Sequence, residues 1–226
     1  MKTVKIAAFA LLAGAVVVGV AAPANAASAT MYGDPAAAAR YWQPQQYDDC
    51  VLMSSADVIG EITGEAPSEE VIIARAQSIR SVAHPGPIYT KPADPASRNP
   101  DGGVSMEDIP PLLSQYKIKA VLIEKDDGPV GDIAPGMSGL EQALGGGHKV
   151  IVSLNGELIW NLPVEDKDKN GNPQSNHAVV VTGVDTANGI VHLNDSGAED
   201  GRDEQVPLGV FVRAWDTSDD VMVVTV

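Results

Sequence analysis

Apolar positions change their spacing near the middle of the chain. In the first half they return at intervals of three and four. Val51, Leu52, Ser55, Ala56, Val58, Ile59 and Ile62 keep one face, which predicts a helix opening near Cys50 and stopping at Gly64. Asp48 and Asp49 stand just before it, and either carboxylate suits a cap on its first N–H groups. Behind Pro67 and Ser68, a second face is built from Val71, Ile72, Ala74, Ala76 and Ile79. Glu69 and Glu70 sit at its start and Arg75 and Arg80 later, as the helix dipole favours. Ser105 opens a short helix with Pro110 and Pro111 in its first turns. Ser138-Gly139-Leu140-Glu141 reads as a capping box for another helix, which ends at Gly145-Gly146-Gly147.

In the second half the apolar runs are short and bounded by turn residues. Strands are expected over 149–154 and 157–162 about an Asn155-Gly156 turn, over 177–184 and 190–193 about Asn188-Gly189, and over 221–226. An earlier strand is expected over 119–123 and a late helix over 206–215. Helices first and strands later predict an α+β fold with N-terminal helices packed on a C-terminal antiparallel sheet. Residues 82–104, rich in Pro and Gly, read as a long surface loop of the kind that often carries function.

The first 26 residues stand apart. Lys2 and Lys5 precede an apolar run over 6–20, then Pro23 and Ala24-Asn25-Ala26, the layout of a cleaved secretory signal. The run is short for a membrane span, so none is expected after signal removal, and a secreted, extracellular protein is. Residues 27–40 read as a loose leader and 41–226 as one domain.

Charge narrows the partners. The 226 residues carry 15 Lys+Arg against 30 Asp+Glu, a net of −15, with no basic cluster and only 4% aromatics. Phosphate-rich partners need the opposite sign, and single strands need stacking rings, so nucleic acid is excluded. Nothing calls for a cofactor or a resident metal.

Cysteine usage sets the chemical question. Cys50 is the only cysteine, so no intramolecular disulfide can form in an exported chain. A thiol becomes a nucleophile as the thiolate, which a helix start and a neighbouring imidazolium both favour. Among the four histidines, His177 opens the strongest apolar strand, and Asn194-Asp195 ends its hairpin partner. An antiparallel pairing returns Asp195 or Asn194 towards the His177 ring, a third group able to orient the base. His84 and His148 lie in loops and His192 within a strand.

Three stretches carry a resemblance: Gln45-Gln46-Tyr47-Asp48-Asp49-Cys50 entering a helix, the strand opened by His177-Ala178-Val179, and the turn His192-Leu193-Asn194-Asp195-Ser196-Gly197. Together they resemble the papain-like cysteine peptidase superfamily, and within it the bacteriocin-leader-peptidase-like (double-glycine) domains of secreted actinobacterial proteins. The resemblance implies a hydrolase of peptide or amide bonds acting through an acyl-enzyme, with a peptide or protein substrate. It assigns Cys50 as nucleophile, His177 as general base and acid, and Asp195 as its orienting group. One of Gln43, Gln45 and Gln46, with Gln45 first, completes the oxyanion hole. The alternative is a catalytically inactive exported domain of the same fold that binds a peptide or protein.

Residues 166–171, Asp-Lys-Asp-Lys-Asn-Gly, match the start of a calcium loop, but the twelfth position is His177 rather than Glu. A charged hairpin tip is the simpler reading.

Overall fold

The computed structural model describes residues 30–95, 97 and 103–226, so the expected signal over 1–26 lies outside the described residues. From residue 30 to 40 the chain is built into the fold, which corrects the expected loose leader. Met31–Gly33 form strand β1, paired antiparallel with residues 183–185, and Pro35–Ala38 form a single helical turn, α1. Asp34 caps that turn by accepting from the Ala37 N–H at 3.0 Å. Ala-rich composition conceals this segment because ladder hydrogen bonds come from the backbone and ask little of the side chains.

Cys50–Thr63 form α2 and Glu69–Gln77 form α3. Gly64 ends α2 in the left-handed region at φ 87°, its N–H bonded to Gly60 O, a conformation that a Cβ would strain. Leu52, Val58 and Ile59 of α2 pack with Ile72, Ile73 and Ala76 of α3 in one buried cluster. Each such aliphatic contributes roughly 1.5–3 kcal/mol relative to exposure. Asp49 occupies the N-cap position of α2, yet neither of its carboxylate oxygens accepts a hydrogen bond. The expected cap is therefore absent, and Asp49 is buried instead.

Next along the chain come α4 (Ile109–Ser114), β2 (Ala120–Ile123), α5 (Gly136–Gly145), β3 (Val150–Leu154) and α6 (Gly156–Ile159). They are followed by β4 (His177–Asp185), β5 (Ile190–Asn194), β6 (Glu204–Pro207), α7 (Leu208–Trp215) and β7 (Met222–Thr225). Six strands run in the order β2-β7-β3-β4-β5-β6, with β1 paired to β4, and every pairing is antiparallel. Helices cover both faces. Ile151, Ala178, Val180 and Val223 face the cluster of α2, α3 and α4. Val150, Val152, Val179, Val181 and Val224 face a second cluster with Leu140, Phe211 and Trp215. Burial on both sides explains why β4 reads as a continuous apolar run rather than alternating.

Three local expectations are corrected. Residues 157–162 are not a strand: Asn155 caps α6, its Oδ1 accepting from Leu158 N at 2.9 Å, and both edges of β3 are already paired, with β4 and β7. Asn serves a hairpin turn and an N-cap equally well, so the pattern is ambiguous. The α5 helix begins at Gly136 after Pro135, ahead of the apparent capping box at Ser138. Val206 belongs to β6, and α7 starts only at Leu208.

Candidate active site

The sheet and α2 meet where Cys50 starts the helix and His177 starts β4. As the first helical residue, Cys50 has a backbone N–H with no intrahelical acceptor. His177 is held at the strand end by its pairing with Leu154 of β3. The β4–β5 hairpin sets Asn194 opposite Val180, so the next residue, Asp195, reaches back to the ring. His177 Nε2 lies 2.7 Å from Asp195 Oδ1, and Cys50 stands beside the same ring, close enough to favour its charged form.

Asp195 is buried and densely held. Its Oδ1 also accepts from Gly197 N at 2.7 Å, and its Oδ2 accepts from Trp160 Nε1 at 2.9 Å. Its backbone carbonyl accepts from Trp42 Nε1 at 2.6 Å. Burial opposes the Asp195 charge, but the His177 contact and the Trp160 and Gly197 hydrogen bonds hold its carboxyl below the usual range. Burial likewise opposes a charged His177, yet Asp195 and Cys50 beside it win and push it up to about 10. The geometry therefore favours an imidazolium between a carboxylate and the cysteine sulfur.

The other candidates separate cleanly. Asn194 turns the opposite way, donating from Nδ2 to Asp57 Oδ2 at 2.8 Å and to Ala38 O at 3.1 Å. His192 pairs with Asp203 at 2.7 Å, and His84 lies beside Asp108. Gln45 lines the same cavity as Cys50 and His177. Its Oε1 accepts from Ser196 Oγ at 2.9 Å and its Nε2 donates to Tyr47 O at 3.0 Å, which leaves the second amide N–H outside these bonds. Gln43 instead donates to Pro67 O, and Gln46 is exposed.

A cleft of about 560 Å³ runs from Cys50 along Trp160 and Leu162, with Asp48, Glu157 and Asp166 on its walls. A smaller hollow of about 150 Å³ also touches Cys50 and His177 and extends to Val104 and Met106. Cys50 and His177 thus line both recesses. In the 166–171 segment Asp168 accepts from the backbone and side-chain N–H groups of Asn170 and Asn172, and Asp166 accepts from Asn176 Nδ2. Both carboxylates are used to shape the loop.

Four contributors were not singled out from sequence. Trp160 both bonds Asp195 and tilts against the His177 ring, centroid to centroid 4.9 Å. It fell in the segment misread as a strand, so its direction was hidden. Trp42 binds across 153 residues, and no local pattern signals that. Gly197 leaves room for His177: a Cβ there would stand 2.9 Å from Cε1. Glu204, opposite Leu193 on β6, has a buried Oε2 with no donor. Burial first, then the charge of Asp195 and a hydrogen bond with it, raise Glu204 to about 7, with His177 pulling the other way.

No family model matches this chain. It is 62% identical over 221 residues to the uncharacterized protein Rv1268c of Mycobacterium tuberculosis and to the uncharacterized protein Mb1299c of Mycobacterium bovis. Each match covers 98% of this chain and 95% of the relative. Among solved structures, a C39-like peptidase from Bacillus anthracis aligns with a TM-score of 0.55 at 19% identity, covering 83% of this chain and 95% of that one. That likeness carries the fold, which is α+β and papain-like. By its sequence, the chain belongs to the family of uncharacterized mycobacterial proteins represented by Rv1268c and Mb1299c.

Proposed function

We propose that this protein is an exported cysteine peptidase-like hydrolase that cleaves peptide or amide bonds through Cys50, His177 and Asp195. One observation carries the reading: Cys50 and His177 line one cleft together, with the ring held 2.7 Å from the buried Asp195 carboxylate. In this reading the Cys50 sulfur attacks the substrate carbonyl carbon. The Cys50 N–H and the Gln45 amide hold the oxygen as it becomes negative. His177 gives its proton to the departing amine, which leaves a thioester on Cys50. It then takes a proton from water as water attacks the thioester, which releases the acid and the Cys50 sulfur and leaves the ring protonated, as it began. Asp195 keeps the ring oriented and stabilises its charge.

The fold shared with a C39-like peptidase supports a peptide as the substrate class. Export is proposed on the layout of residues 1–26. Among the described residues no helix is long and apolar enough to cross a membrane.

The test is a mixed-sequence peptide library incubated with the protein and read by mass spectrometry. Time-dependent cleavage that disappears in Cys50→Ala and after iodoacetamide is the expected result. Cleavage that survives both treatments overturns the reading. Retention of peptides without any cleavage favours the inactive, peptide-binding domain.

A further inference from the structure

The cleft beside Cys50 is acidic where it meets the reactive pair. Asp48, Glu157 and Asp166 line it, and no lysine or arginine does. Acids outnumber bases by 30 to 15 in this chain, so an acidic wall alone says little. What is specific is how two of these acids are tied to His177. Gly156, the residue before Glu157, abuts the His177 side chain: a Cβ there would stand 3.2 Å from His177 Cβ. The Gly156 N–H donates to Asn176 Oδ1 at 2.9 Å, and Asn176 Nδ2 donates to Asp166 Oδ2 at 2.7 Å. Asn176 is the residue before His177. Both carboxylates therefore stand within the reach of one long side chain from the reactive pair.

The two oxygens of Glu157 are used unequally. Oε2 accepts from Glu165 N at 3.0 Å and from Asp166 N at 3.3 Å, which fixes the side chain. Oε1 receives no hydrogen bond, and unlike the unpartnered oxygens of Asp49 and Asp57 it is not buried. A carboxylate oxygen that is held in place, accessible and paired with no base is a strong acceptor for a charged N–H donor. Beside it stand Leu162, 55% exposed, and the half-buried Trp160, both lining the same cleft. Lysine and arginine side chains combine the two matching features, an apolar stem and a charged head. An inorganic cation needs a shell of several oxygens, whereas Glu157 Oε2 and Asp166 Oδ2 are already turned onto N–H donors.

We propose that this cleft selects a peptide carrying a lysine or arginine at or next to the cleaved bond, its charged group bonded to Glu157 Oε1 and its stem against Leu162 and Trp160. This substrate class rests on the hydrolase reading of the same cleft. Glu157 is then a specificity-determining residue, and Asp48 and Asp166 add negative charge around it.

The experiment uses the whole protein and two mixed-sequence peptide libraries that differ only at the central position, lysine in one and its uncharged counterpart norleucine in the other. Cleavage by the wild type is read by mass spectrometry. Binding of the same libraries to Cys50→Ala is read in parallel, so a failure of the chemistry and a failure of the selection are told apart. The lysine library should be cleaved, and bound by Cys50→Ala, roughly three- to tenfold better, the range for a partly exposed charged hydrogen bond. Glu157→Gln keeps an oxygen for the Glu165 and Asp166 N–H groups and turns an NH2 to the open side, so it should abolish that preference. Raising the salt concentration should shrink the preference in the wild type. Should Glu157→Gln not fold by far-UV circular dichroism, the salt series carries the comparison. If neither library is cleaved while Cys50→Ala binds the lysine library better, the hydrolase reading falls and the cationic subsite stands. Two libraries cleaved alike overturn the proposal. So does equal or absent binding where nothing is cleaved, or a preference unchanged in folded Glu157→Gln or, without it, by salt.

Discussion

His177 meets Asp195 through Nε2, at 2.7 Å, so of the two ring nitrogens only Nδ1 is left for another partner. The two oxygens of Asp195 are committed differently: Oδ1 to His177 and Gly197 N, Oδ2 to Trp160 Nε1. Every group facing this carboxylate from those three residues is a donor. That demands a carboxylate rather than an amide, because an amide must turn its NH2 towards one of them.

Asp195→Asn should therefore do more than remove a charge. Its NH2 opposes either the indole N–H, which loses one bond, or the His177 and Gly197 N–H groups, which loses two. His177, held charged up to about pH 10 in the wild type, should titrate nearer its ordinary value of 6.5. Imidazole NMR across a pH series reads this directly. Library cleavage should slow by roughly 10²- to 10⁴-fold in the same variant. An unmoved His177 titration would mean that Asp195 does not set its charge.

Gly197→Ala should act by crowding. The added methyl would stand 2.9 Å from His177 Cε1, closer than carbon atoms approach, and at a tight 3.3 Å from Trp160 Cζ2. Gly197 is not among the residues with positive φ, so backbone strain is not the cause. The ring must tilt off Asp195, at roughly 1–3 kcal/mol for a small-to-large change in packed surroundings. Iodoacetamide labelling of Cys50 at neutral pH should slow, with little change in far-UV circular dichroism. Wild-type labelling would show that the ring has room after all.

Much of this arrangement was legible because β hairpins are local. Asn188-Gly189 marks the turn, and the apolar run from Ala178 marks the buried strand, so the return of Asp195 towards His177 follows from period and register. Helix α2 was legible for the same reason, its face repeating over 14 residues with Gly64 at the end. What escaped is non-local or degenerate. Trp42 and β1 join the sheet region across more than 150 residues. Asn155-Gly156 reads equally as a turn or a helix start, and the wrong choice hid Trp160. Asp49 holds the expected position but not the expected role: burial, and then its neighbours Glu69 and Asp48, keep it from acting as an anionic cap.

Glu204→Gln separates hydrogen bonding from titration. Glu204 holds its proton to about pH 7 when folded against about 4.5 ordinarily, so the folded chain binds more protons between those values. Stability contributed by its protonated form is complete below pH 4.5 and is lost as pH rises through 7. The side chain is partly exposed, so the effect discounts to about 1 kcal/mol. Glutamine keeps an N–H donor at every pH, so urea denaturation at pH 5 and at pH 8 should differ less for the variant than for the wild type. The same difference in both would exclude Glu204 as the titrating group.

Asp49 should give a strong pH dependence of stability. Burial first, then Glu69 and Asp48, raise its carboxyl from 3.8 to about 8, and Lys91 opposes them only in part. Both oxygens lack a donor and the residue is 1% exposed, so the neutral acid is the form the site accepts. The folded chain keeps this proton up to about pH 8, whereas the unfolded chain releases it near 3.8. Folded protein therefore binds the extra proton throughout that window. The stabilisation is complete below pH 3.8 and declines as pH rises to 8, by an amount on the order of 3 kcal/mol. Asp49→Asn keeps the shape and cannot ionise. It should match the wild type near pH 4, exceed it in melting temperature at pH 8, and flatten the profile between. Thermal melts of both proteins at unit steps of pH decide the matter. If Asp49→Asn instead melts lower than wild type at pH 8, the Asp49 carboxylate has partners that stabilise its charge, and its burial as a neutral acid is wrong.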